Sequence, residues 1–160
     1  MKLFIKQKVF SLGDKYTIFN ESEHPVFTVE SEVFTLGAKI HLFDALGNEL
    51  YYIEKKLFRF LPEYELYSGG VLVAVVKKEF TFFKPKLYIT SPSFSYTLEG
   101  DIFSMDFSIH DGQRTVGEIS KRWLSFGDSY ELYVYDDKDA ALFSALVIAI
   151  DNCLHNESRD

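Results

Sequence analysis

From Ala140 to Ile150 the chain reads Ala-Ala-Leu-Phe-Ser-Ala-Leu-Val-Ile-Ala-Ile, a stretch of helical composition that is apolar around nearly its whole circumference. A surface helix carries one apolar stripe, whereas a helix apolar on every side must be covered on every side. Spanning a bilayer takes roughly 20 apolar residues, so this shorter run, bracketed by Asp139 and Asp151, reads as a core helix and not a transmembrane segment. The cover has to come from strands, because the rest of the chain carries strand signals.

Those signals are regular. Phe103, Met105, Phe107 and Ile109 alternate with Ser104, Asp106, Ser108 and His110, the period of two expected of a half-buried strand over 103–110. Ile40 and Leu42, Leu87 and Ile89, and Leu132 and Val134 alternate with polar residues or tyrosines in the same way. Turn residues punctuate the segments: Ala45-Leu46-Gly47-Asn48, Ser68-Gly69-Gly70, Ser91-Pro92-Ser93 and Asp111-Gly112. A content of 16 Phe and 10 Tyr fits strands better than helices. About twelve segments result, which points to an all-β sandwich or barrel.

The helix chooses between the two. Packed sheets cover a helix on two sides; a closed barrel covers it all round. Eight strands leave room only for side chains, and a helix with its side chains is about 10–12 Å across, so the barrel must be wider. The expectation is a mainly β fold: a twelve-stranded antiparallel closed β-barrel enclosing one central C-terminal helix. It forms a single domain over 1–155, with a disordered tail at 156–160. Asp136, Asp137 and Asp139 suit the positive end of the helix dipole. Asp151 and Asn152 should return its far end to water, and the Ser144 hydroxyl should bond back to a carbonyl one turn earlier.

Charge and leader signals narrow the function. A net charge of -7 argues against nucleic-acid binding, which needs a basic face. The single cysteine, Cys153, excludes an intrachain disulfide. Lys6 and Lys8 interrupt any apolar leader in the first ten residues, so a cytoplasmic protein is expected. The acceptor patterns at Asn20-Glu21-Ser22 and Asn156-Glu157-Ser158 then have no use.

No phosphate loop, dinucleotide fingerprint, zinc-protease pair or nucleophile elbow occurs. His24, His41, His110 and His155 are scattered and read as surface residues. Cys153 and His155, two apart on a helix, do not face each other. Asp136-Asp137-Lys138-Asp139 lacks the glycine and distal glutamate of a calcium loop. No catalytic residue, metal site or cofactor is therefore expected.

One segment invites a ligand. Val76 to Lys86 holds Lys77, Lys78, Lys84 and Lys86 together with Phe80, Phe82 and Phe83. Lysines can meet phosphate while phenylalanines dip into an apolar phase; the plainer reading is a strand edge protected by charge. Lys55, Lys56 and Arg59 form a second basic group with the same two readings.

Several blocks together resemble a known family. Asp44-x-x-Gly47-Asn48-x-Leu50-Tyr51-x-Ile53, Glu99-Gly100-Asp101, Gly117-x-Ile119-Ser120-Lys121-Arg122-Trp123, Gly127-Asp128-Ser129-Tyr130 and Ala145 to Asp151 follow one another as in LURP-one-related proteins of the bacterial YxjI-like branch. The resemblance covers essentially the whole chain. It implies the Tubby C-terminal-like superfamily, which also holds the phospholipid scramblases, and hence a twelve-stranded barrel threaded by a C-terminal helix. Tubby proteins bind phosphoinositide headgroups through basic side chains, but their positions do not transfer to this acidic chain. The calcium segment and anchor of scramblases are not seen. The function expected is a non-enzymatic binding or scaffold module that acts through its exterior or rim on a protein or an anionic ligand. The alternative is a peripheral phospholipid-headgroup binder; a small-molecule enzyme ranks last.

Overall fold

A computed structural model describes residues 1–6, 14–82, 85–124 and 127–155. The predicted tail at 156–160 and Lys84 lie outside the described residues. Twelve strands precede the helix: β1 (Lys2–Lys6), β2 (Lys15–Asn20), β3 (Pro25–Ser31), β4 (Lys39–Asp44), β5 (Glu49–Lys55), β6 (Glu63–Ser68), β7 (Val71–Phe80), β8 (Pro85–Thr90), β9 (Tyr96–Asp101), β10 (Asp106–Asp111), β11 (Arg114–Leu124) and β12 (Gly127–Val134). They form one antiparallel sheet in the order β8-β7-β6-β5-β4-β3-β2-β1-β12-β11-β10-β9. The first and last strands pair, Leu3 opposite Leu132, so the break in the sheet falls in mid-chain. β8 and β9 touch, but among the described residues no ladder joins them. The barrel is nearly closed, with one seam beside the connection containing Pro92, a residue with no backbone donor to give.

Inside lies α1 (Ala140–His155), buried at every residue from Phe143 to Cys153. The inward positions of the strands meet it: Leu3, Ile18, Val29, Ile40, Leu42, Ile53, Leu66, Val76, Ile109 and Leu132 are all fully buried. The helix lies closest to β5, β6 and β7. Gly117 on β11 leaves room on the other side: a Cβ there would meet the Phe143 ring at 3.1 Å, and Phe143 itself sits edge-on to Tyr96 at 5.4 Å. The entry to α1 is the turn Asp137–Asp139, where the Asp136 side chain accepts from the Lys138 N–H at 3.2 Å and Asp137 pairs with the N-terminal amine at 3.0 Å.

Three local expectations are corrected. Asp151 and Asn152 do not return the helix to water; both are buried, and the helix continues to His155. Their polarity is absorbed internally, Asn152 donating to the Ile148 carbonyl at 2.8 Å and Asp151 accepting from the Tyr130 hydroxyl at 2.5 Å. The buried Ser144 hydroxyl makes no hydrogen bond back along the helix. The strand expected from Phe103 begins only at Asp106. Asp101 is the reason: its carboxylate accepts from the Ser104 N–H at 3.2 Å and the Ser104 hydroxyl at 2.6 Å, stabilising a 3-10 turn at Ile102–Ser104 that leaves Phe103 partly exposed. Met105, Phe107 and Ile109 do point inward as their alternation requires.

Gly100 sits at φ +123° opposite Phe107, where a Cβ would lie 2.7 Å from the Asp106 carbonyl oxygen and 2.9 Å from the Phe107 Cα. No side chain fits, because both neighbours are backbone. Gly100→Ala is expected to lower unfolding free energy by about 2–3 kcal/mol, measured as a lower urea midpoint at unchanged slope.

Candidate functional site

Because the strands run up and down, their connections gather at two ends. The helix N-terminus shares its end with the turns at 21–24, 45–48, 69–70 and 112–113; exposed there are Glu21, Glu23, Asp111, Asp136 and Asp137. The helix C-terminus opens onto the loops at 32–38, 56–62 and 102–105, a position fixed by the Cys153 thiol donating to the Pro62 carbonyl at 3.5 Å. At this second end, here called the mouth, large apolar side chains stand in water. Phe34 is 96% exposed, Phe58 101%, Phe60 94% and Phe82 95%, with Leu36 and Phe80 also exposed.

The two mouth loops support each other. The Lys56 N–H donates to the Glu63 carbonyl at 2.8 Å, closing the 56–62 loop, and the Lys55 N–H donates to the Ala38 carbonyl at 2.8 Å, seating the 32–38 loop beside it. Phe34 and Phe58 both occupy left-handed backbone, at φ 57° and 59°. A bulky residue there costs about 1–2 kcal/mol. The chain thus holds two phenylalanines in a strained backbone and turns both rings outward.

Beside the Phe58 ring lies a pocket of about 330 Å³ lined by Lys55, Lys56, Phe58, Arg59, Phe60, Leu61, Pro62, Lys78 and Phe80. Register explains its charge. Lys55 follows Tyr51 and Ile53 on the inward face of β5, and Lys78 follows Ala74 and Val76 on the inward face of β7. Both continue the core face to the level of the last helical turn, beside Cys153, so lysines replace aliphatics at the top of the barrel wall. Lys56 reaches Glu65 at 3.1 Å and Arg59 reaches Glu63 at 3.6 Å. Lys78 also stands 6.0 Å from the Phe103 ring centre, within cation–π range.

The two basic groups of the sequence thus merge, but the 77–86 segment divides. Lys78 lines the pocket. Lys77 and Lys86 project from the outer wall, where Lys77 pairs with Glu79 at 2.6 Å and its pKa is raised, first by that hydrogen bond. Alternation along β7 separates Lys77 from Lys78, and adjacency in sequence conceals this. Sequence reasoning missed Phe34, Phe58 and Phe60. Lys56-Leu57-Phe58-Arg59-Phe60-Leu61-Pro62 carried the signal: an apolar and basic run ending in proline between two strands.

Cys153 lies under the pocket floor, where burial pushes its thiol pKa up to about 12; a thiol so protonated is a poor nucleophile. Among the described residues no group of three histidine, cysteine or acidic side chains is arranged to hold a metal ion. Among them, too, no helix is long and apolar enough to cross a membrane.

Comparison with known proteins places this architecture. A family model described as LURP-one-related matches residues 1–151. The chain is similar to the uncharacterized protein YxjI of Bacillus subtilis, 38% identical over 157 residues that span 98% of this chain and 96% of that one. It is also similar to an X-ray structure of a protein from Arabidopsis thaliana, with a TM-score of 0.60 over 94% of this chain and 89% of the other. At 18% identity that likeness concerns the fold.

One further cluster lies on the outer wall. His41 on β4 is not isolated: Nδ1 meets Glu49 at 2.6 Å and Nε2 meets Glu32 at 2.9 Å. Partial burial pulls its pKa down, but the hydrogen bonds to Glu49 and Glu32 outweigh this and the net shift is upward. A ring with both nitrogens against carboxylates is best satisfied as the imidazolium. Its folded pKa lies above the unfolded value of about 6.5. The contribution is therefore complete below that pH and lost as pH rises through the folded value. Solvent screening limits it to about 1 kcal/mol. The stability difference between wild type and His41→Gln, followed by urea unfolding from about pH 5.5 to 8.5, should be largest at the acid end and shrink steadily above neutrality.

Proposed function

We propose that this chain, which belongs to the LURP-one-related family, is a non-catalytic binding module that sets its mouth end-on against an anionic phospholipid surface. The observation that carries the reading is the shared location of the exposed phenylalanines and the basic pocket. A Phe side chain left in water forgoes about 1.5–3 kcal/mol of burial, and here several do so on one end, two of them on strained backbone. Exposed apolar groups of this kind, rimmed by charge, mark contact surfaces.

The chemistry of the two parts suits a lipid interface. Phe34, Phe58, Phe60 and Phe82 have the size and lack of polar atoms to enter the headgroup–acyl boundary. Lys55, Lys56, Arg59 and Lys78 stand behind them at the depth where lipid phosphates would lie. Each cation near an anionic surface adds about 1 kcal/mol. The helix fills the interior, which supports a role for the rim over a role for an enclosed cavity. The same surface accounts for the exterior or rim binding of an anionic ligand expected from sequence.

Vesicle co-sedimentation tests this. Wild type should bind vesicles containing phosphatidylglycerol at low salt, release them as salt rises, and ignore phosphatidylcholine. Phe58→Ser with Phe60→Ser, and separately Lys56→Gln with Arg59→Gln, should each weaken binding by about 10-fold or more, the worth of one or two buried apolar groups or phosphate contacts. Lys77→Gln with Lys86→Gln, on the outer wall, should change it by less than about threefold. Absence of binding at low salt would sink the proposal.

A further inference from the structure

The last turn of α1 ties the mouth to the core. The Pro62 carbonyl accepts from both the Cys153 thiol and, at 3.1 Å, the Lys78 N–H. Pro62 ends the loop that carries Phe58, Arg59 and Phe60, so the position of the helix end sets the seat of that loop. Two residues before Cys153 stands Asp151, a carboxylate only 6% exposed.

Among the described residues, two tyrosines and one histidine interact with the Asp151 carboxylate. Its Oδ1 accepts from the Tyr130 hydroxyl on β12 at 2.5 Å, and the buried Tyr16 on β2 feels its charge. The positive partner in direct contact is His155, one turn on, whose Nδ1 lies 2.8 Å from Oδ1 and 3.1 Å from the Asp151 carbonyl oxygen. A buried carboxylate is costly unless it is paired, and His155 supplies a charge only when protonated. A cation at a helix C-terminus also meets the dipole favourably. Lys121 on β11 opposes the imidazolium. On the Cys153 side, Lys55, Glu63 and Lys78 face the turn.

We propose that the last turn of α1 is a proton-operated latch on the mouth: with His155 protonated, the Asp151–His155 pair holds the turn and the Pro62 loop in their seats, and loss of that proton loosens both. As a control on membrane docking, the latch rests on the function proposed above; as a structural device it stands alone. The direction follows from linkage. The hydrogen bond that His155 donates to Asp151 raises the His155 pKa, against partial burial and Lys121. The latch is therefore fully set below about pH 6.5 and released as pH rises through the folded value.

Amide hydrogen exchange on the full chain tests it, with residues 152–155 and the Lys56 and Lys78 amides, which bond to Glu63 and Pro62 and so report the seat of the loop, followed from about pH 6 to pH 8.5 and corrected for intrinsic rates. Protection at both sets of amides should fall about two- to fivefold, the weight of a cation at a helix C-terminus, with the midpoint of the His155 ring titration read by NMR. His155→Gln keeps a donor without the charge and should flatten both profiles. A wild-type profile as flat as that of His155→Gln overturns the latch. Phosphatidylglycerol vesicles under the same conditions separate the two proposals. A pH-dependent exchange profile with no vesicle binding at either pH leaves the latch standing and defeats the docking. Vesicle binding with a flat exchange profile does the reverse.

Discussion

Everything in this structure depends on covering an apolar helix on all sides. A cylinder with no polar stripe sets a minimum circumference for whatever encloses it, and the sheet meets that requirement with twelve strands. The demand then passes to individual positions. Inward side chains are aliphatic through the middle of the barrel, Gly117 stands back for Phe143, and the polar residues of the last helical turn find partners inside, Asp151 on the wall and Asn152 on the helix itself.

Filling the barrel also decides where a pocket can form. Wide barrels commonly offer an interior cavity; here the helix occupies it, and the basic pocket lies at one end instead. The two ends differ in character. One is closed by acidic turns and the N-terminal amine. At the other, the inward-facing register positions beside the last helical turn are lysines, with phenylalanines in the loops around them. The contrast arises simply: the same alternation that builds the core runs out of core to face, and its last positions become the lining of a pocket.

Architecture was legible because it rests on periodicity and volume. The helix, the strand count and the hairpins at Asp111-Gly112 and Ser68-Gly69-Gly70 all declare themselves in local residue patterns. The site was less legible because it rests on where strands end. Lys77 and Lys78 are indistinguishable in sequence and lie on opposite faces of one strand. Lys55 and Lys78 are far apart in the chain and share a pocket. Asp151 and Asn152 look like residues leaving the core and are buried, since a tyrosine on β12 and a backbone carbonyl satisfy them. Phe103 fits the strand alternation and falls outside the strand, because Asp101 offers Ser104 a competing turn.

The helix that fills the barrel follows all twelve strands in chain order, and β1 must pair with β12 to bring the sheet round. During synthesis the strands therefore emerge before the element they enclose, and their inner faces have no helix to pack on until α1 follows them out of the ribosome. Pairings between distant parts of a chain are slow to form, and strands exposed meanwhile are prone to pair wrongly. The unladdered seam between β8 and β9 bears on this. A sheet with a free edge on each side of a gap can wrap around a late-arriving helix, whereas a fully laddered ring would have to be threaded.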